Sequence, residues 1–171
     1  MSEPVPHVEI VIAEYDPRWP LLFAEERARI EAALGGLIER IEHIGSTSVP
    51  GLAAKPIIDL LAITDHLGPP EPYIGPLASL GYTFFPALGN PDRHMFGQGR
   101  PHTRHLHIVE RGGDEHARPI VFRDYLRTHP DTAREYEALK RDLARRFPYD
   151  RQAYNVAKTG FIRSIEAIAR G

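Results

Sequence analysis

Residues 41–63 read IEHIGSTSVPGLAAKPIIDLLAI. The last seven, IIDLLAI over 57–63, are apolar throughout except for Asp59, a pattern that suits a strand buried on both faces at the centre of a sheet. LIERIEHI over 37–44 reads as a second strand that runs into the Gly-Ser turn. Between the two strands, Gly45 lets the backbone bend so that its amides face a ligand. Ser46, Thr47 and Ser48 add hydroxyls able to donate to a phosphate oxygen. Leu52–Ala54 then predicts a short helix whose N-terminus favours an anion, and Lys55 follows as a compact positive charge. The same small-residue cluster also fits an ordinary turn, and Asp59 decides between the two. A carboxylate in an apolar strand is expensive to bury unless it is paired, hydrogen-bonded or metal-bound. It reads either as a structural partner of the loop or an arginine, or as a cation ligand or base.

Working outward, HVEIVIAEY (7–15) alternates as a first strand does, and Asp16-Pro17 predicts a helix start that Gly35-Gly36 ends. A short helix is expected through 74–80. YTFFP (82–86), RHMFGQG (93–99) and RHLHIVE (104–110) read as further strands. Three helices, 117–128, 131–147 and 151–169, complete the chain, separated at Pro130 and Pro148. Strands first and helices last describe an α+β domain with a mixed central sheet and a helical C-terminal part. The 171 residues suit a single domain over 1–171.

Nothing in the composition points to a membrane. No run of eighteen apolar residues occurs, and the start MSEPVPHVEI lacks the form of a secretory leader. There is no cysteine, so disulfides and thiolate metal sites are excluded, and a cytoplasmic protein is expected. The net charge is −2, unevenly spread: residues 1–116 hold 9 Lys/Arg against 16 Asp/Glu (−7), residues 117–171 hold 12 against 7 (+5). Acids and bases alternate in the basic third, so it reads chiefly as solvated helix faces, and nucleic acid is not the expected partner.

The run HIGSTSVPGLAAKPIID (43–59) resembles the signature of the GrpB family, whose fold is that of the nucleotidyltransferase superfamily. YDPRWPLLFAEE (15–26), HLHIV (105–109), FRDYLRTHP (122–130), YEALK (136–140) and the Tyr154–Lys158–Phe161 pattern extend the resemblance over nearly the whole chain. A related domain is fused to some dephospho-CoA kinases. The resemblance implies a Gly-Ser turn that holds a triphosphate, then a strand with two acids one residue apart, then a third acid on a neighbouring strand. Gly45 and Ser46 match the turn and Asp59 the first acid. Leu61 stands where the second acid belongs, a departure that a two-metal mechanism does not tolerate.

Histidines are the other candidates for completing the site. His105 and His107 share one face of a strand, and either could take the third acid's place. With Asp59 they would form a metal centre for hydrolysis, suited to Mn²⁺ or Zn²⁺ rather than Mg²⁺, or a histidine, with His107 the candidate, would act directly on a phosphate. Both also fit plain sheet residues. Only three lysines occur beside 18 arginines. Lys140 and Lys158 each follow a tyrosine by four residues on one helix face, and with Arg123 they are the expected second set of anion contacts. Packing over the helices is the alternative.

The sequence therefore leads us to expect a protein that binds a nucleotide or other phosphorylated small molecule through Gly45, Ser46, Thr47, Ser48 and Lys55. Asp59 would place a divalent cation, Mg²⁺ or Mn²⁺ before Zn²⁺, and transfer of a nucleotidyl group could follow. The alternatives are a non-catalytic phosphate-ligand-binding or interaction module and a metal-dependent hydrolase built on Asp59, His105 and His107.

Overall fold

The computed structural model describes residues 8–86 and 90–171. Its elements in chain order are α1 (Trp19–Leu34), β1 (Arg40–Ile44), β2 (Ile58–Thr64), α2 (Glu71–Ala78), β3 (Tyr82–Phe85), β4 (Arg93–Gln98), β5 (Arg104–Glu110), α3 (Asp114–Thr128), α4 (Pro130–Arg146) and α5 (Arg151–Arg170). The strands form one sheet in the order β1-β2-β5-β4-β3. β2 and β5 run parallel and every other pair is antiparallel, which gives the mixed sheet of an α+β domain.

The apolar run of β2 is central, as its composition requires: Leu60, Leu61, Ala62 and Ile63 are all buried. Alternate residues divide between two faces. On one face Ile58, Leu60, Ala62, Leu106, Ile108 and Phe96 pack with Trp19, Ile30 and Leu34 of α1 and with Tyr73 and Leu77 of α2. Glu26, 1% exposed, pins α1 to this face by accepting from Tyr82 Oη at 2.9 Å and pairing with Arg104 at 3.3 Å. The opposite face carries Ile44, Asp59, Leu61, His105, His107, Met95 and Gly97 in register across β1, β2, β5 and β4. That face looks towards α3 and α5.

Several local expectations are corrected. Within 8–15 no strand forms, and only Ala13 makes a single antiparallel bridge, to Ala54 (residue 7 lies outside the described residues). The segment instead crosses to the junction of α4 and α5, where Ile10 N–H donates to Pro148 O and the Ile10 side chain packs with Leu143 and Tyr154. Ala54 is committed to that bridge, so Leu52–Ala54 is extended and offers no helix N-terminus to an anion. Asp16 does not cap α1 directly. It accepts from Arg18 N–H at 2.9 Å, and the helix begins at Trp19, with Pro20 in its first turn. Among the described residues no helix is long and apolar enough to cross a membrane.

Candidate functional site

Between the Asp59 face of the sheet and the C-terminal helices lies a cavity of about 670 Å³. Its floor is Asp59, Leu61, His105, His107 and Met95, one edge is Gly45, Ser46 and Thr47, and α5 supplies Arg151, Tyr154 and Lys158. A pocket of this size takes a small molecule such as a nucleotide.

The turn that leads into it is shaped by one close approach. Gly45 has φ +73°, and a Cβ there would stand 2.5 Å from Asp59 Oδ2. Only glycine lets the turn close over the carboxylate. The three hydroxyls behind it separate. Ser46 faces the cavity. Ser48 is buried and donates back to Gly45 O. Thr47, 1% exposed, pairs with His43 Nε2 at 3.0 Å. Burial pulls His43 down to about 4, so the pair is neutral, and His43 braces the turn against Phe23. Thr47 touches the cavity but serves the fold, and Ser48 serves the turn alone.

Asp59 sits beside His105 in the parallel register. His105 Nδ1 lies 3.4 Å and His107 Nε2 3.9 Å from Asp59 Oδ1. Burial works to raise the Asp59 pKa, but the two imidazoles outweigh it and hold the carboxyl well below the usual carboxylate range. His107 stands in register with Leu61, next to the position of the missing acid. Burial pulls its imidazole below the ordinary value, and its Nδ1 is buried with no hydrogen-bond partner among the described residues.

This donor set does not fit the Mg²⁺ pair of a nucleotidyltransferase. Leu61 stands where the resemblance places the second acid, and the β5 residues in register with Asp59 and Leu61 are His105 and His107 rather than acids. The expected Asp59–His105–His107 metal centre is corrected as well. Among the described residues no group of three His, Asp or Glu side chains is arranged to hold a metal ion.

The basic side chains sort in a way the sequence does not reveal. Arg123 lies outside the cavity, and its guanidinium donates to Glu42 at 2.9 Å, to His43 O at 3.0 Å and to Asp124 at 2.9 Å. It ties α3 to β1, so the expectation that it contacts an anion is corrected. Lys140 is 2% exposed and donates to Ala53 O at 2.6 Å, with Nζ 4.8 Å from the Tyr136 ring centre. It reaches the cavity wall already engaged. Lys55 and Lys158 place Nζ at 4.7 and 4.8 Å from the Tyr154 ring centre. Burial, then repulsion from Lys158 and Arg151, brings Lys55 down to about 7, and burial also lowers Lys158. Of the cavity's other arginines, Arg93 and Arg118 pair with Glu115, and Arg163 pairs with Glu166. Lys55, Arg151 and Lys158 have no carboxylate within ion-pair distance among the described residues.

Arg151 and His102 are the site residues that sequence reasoning misses. The H-x-x-H-x-H spacing over 102–107 is visible, but nothing local shows that the 99–103 turn folds back over the sheet. It does so at Gly97, where a Cβ would come within 2.7 Å of His102 Cε1. His102 Nδ1 then lies 3.1 Å from His105 Nε2, and Arg151 Nη2 3.3 Å from the same nitrogen.

An α+β domain with a glycine turn closed over one acid, and a cavity walled by cations on its helical side, is the class these features define. The model of the GrpB protein family matches residues 9–167. The chain belongs to the GrpB family. Its fold matches the crystal structure of conserved protein GrpB from Enterococcus faecalis with a TM-score of 0.86 at 36% identity, covering 93% of this chain and 96% of that one. A UPF0157 protein of Pseudomonas aeruginosa is 43% identical over 154 residues, 87% of this chain, and the match spans 63% of that protein's length. A dephospho-CoA kinase of Mycolicibacterium paratuberculosis is 28% identical over 176 residues, 86% of this chain and 43% of that protein.

Proposed function

We propose that this protein binds a nucleotide or other phosphorylated small molecule in the cavity between the sheet and α3–α5. The observation that carries the reading is the group of three cations, Lys55, Arg151 and Lys158, that line the cavity without a carboxylate partner among the described residues. Burial pushes Lys55 and Lys158 towards their neutral forms, Arg151 beside them is exposed, and a phosphate entering among the three supplies the counter-charge they lack. Ser46 offers a further hydroxyl at the edge. Phosphate would also restore a proton to Lys55, so binding near pH 7 takes up protons. Leu61 favours, as the second reading, a binding module that carries out no nucleotidyl transfer.

Isothermal titration of nucleoside triphosphates, nucleoside monophosphates and sugar phosphates, with EDTA present, tests the reading. At least one class should bind, with a heat that depends on the buffer's ionisation enthalpy. Lys55→Met and Lys158→Met should each weaken binding about tenfold, the ~1.4 kcal/mol of one charge-assisted contact. Binding by none of the three classes, or undiminished binding by the double variant, rejects it.

A further inference from the structure

Besides the strand histidines His105 and His107, a third histidine lines the cavity: His102, in the turn between β4 and β5. A guanidinium has donors only, so we assign His105 Nε2, 3.3 Å from Arg151 Nη2, as the acceptor of that contact. The His105 proton then sits on Nδ1, which faces Asp59 Oδ1 at 3.4 Å, the long limit of a hydrogen bond in a site without ligand. His102 Nδ1, 3.1 Å from the same Nε2, must in turn carry the proton it donates. His102 Nε2 is left with a bare lone pair and no hydrogen-bond partner among the described residues, and His102 lines the cavity.

We propose that His102 is a general base for metal-independent hydrolysis of a phosphate ester or anhydride in this cavity, with His105 and Asp59 as positioning residues. The proposal rests on the phosphate-binding reading above. His102 Nε2 removes a proton from a water molecule as the water oxygen bonds to phosphorus. The bridging P–O bond breaks, and its electron pair leaves on the released oxygen. The released oxygen, in line on the far side of phosphorus, takes its proton from solvent, and the His102 imidazolium gives its own proton to solvent and returns to the neutral form, leaving inorganic phosphate and the alcohol or shorter phosphate. Lys55, Lys158 and Arg151 surround the charge that builds on the phosphoryl oxygens. Across from His102 are His105 on β5, Arg151 on α5 and the Phe85 ring on β3, with Arg100 in its own turn. Burial, with Arg151 and Arg100 nearby, keeps its pKa below that of a free imidazole, so the base is neutral at pH 7.

The test uses the full chain with EDTA and two probes, p-nitrophenyl phosphate and ATP, following phosphate release and, by calorimetry, binding. We expect release from at least one probe in EDTA. His102→Gln should lower kcat at least 100-fold with Kd within threefold, and Asp59→Asn should lower kcat and shift the acid limb of the pH profile. Nitrogen NMR of the wild-type imidazoles should find His102 protonated on Nδ1 and bare on Nε2. Binding without phosphate release, release that EDTA abolishes, full activity in His102→Gln, or the opposite tautomer overturns the proposal. Absence of binding is the separate failure of the phosphate-binding reading.

Discussion

Replacing Gly45 with alanine tests the geometry on which the whole site depends. Two penalties add at this position. Any L-residue pays ~1–2 kcal/mol for this backbone, since φ +73° with ψ −176° is a region that essentially only glycine adopts. The new methyl also stands 2.5 Å from Asp59 Oδ2 and 3.1 Å from Asp59 Cβ, and forcing a carbon into packed surroundings costs a further ~1–3 kcal/mol. Gly51 is the built-in control: its φ is +81°, yet nothing lies within 4 Å of a Cβ there, so Gly51→Ala carries the backbone penalty alone. At ~2–4 °C per kcal/mol for a chain of this length, Gly45→Ala should lower Tm by ~4–20 °C and Gly51→Ala by ~2–8 °C. Thermal and urea unfolding, followed by circular dichroism, measure both. Asp59→Gly in the Gly45→Ala background removes the collision and should recover ~1–3 kcal/mol as a coupling energy. Equal losses at the two glycines, or no coupling with Asp59, would show that the turn does not close over the acid.

Two further outcomes separate structural from ligand-binding cations. Arg123→Ala should lower stability by ~2–4 kcal/mol in urea, because it leaves Glu42 Oε2 and the His43 carbonyl without their donor and Glu42 with Arg40 alone, while phosphate-ligand affinity stays unchanged. Lys140 carries a pH signature. Burial, with Lys158 nearby, brings its ammonium from 10.5 down to about 7, so between those values the unfolded chain binds a proton that the folded chain does not. Its contribution to stability therefore increases as pH rises from about 7 towards 10.5. Lys140→Met should remove up to ~1.4 kcal/mol per pH unit of that slope, read from urea midpoints at pH 7 and pH 9. An unchanged slope would place the Lys140 ammonium in water.

Much of the fold is legible in the order of residues because its signals are local. The apolar run around Asp59 marks a central strand. The breaks at Pro130 and Pro148–Asp150 mark the helix ends to within a few residues. Residues 8–15 and 52–54 fail the same test for a non-local reason. Their alternation and small side chains suit a strand or a helix equally well until each finds the other, and the Ala13–Ala54 bridge holds both extended.

At the site, the sequence by itself determined the chemistry available: a glycine-serine turn, one acid with a leucine two residues on, clustered histidines and three lysines. Those identities already count against a two-metal centre, since leucine has no donor atom. Tertiary structure alone decided how they are used. Arg123 and Lys140 look like Lys158 in sequence, but the first meets Glu42 across 81 positions and the second Ala53 across 87. Such partners are chosen by the packing of helices on the sheet, to which no local pattern responds. The same packing sets Arg151 against His105 and folds His102 over Gly97. A side chain's charge is written in the chain, but whether that charge is neutralised depends on which distant residues the fold brings within a few ångströms of it.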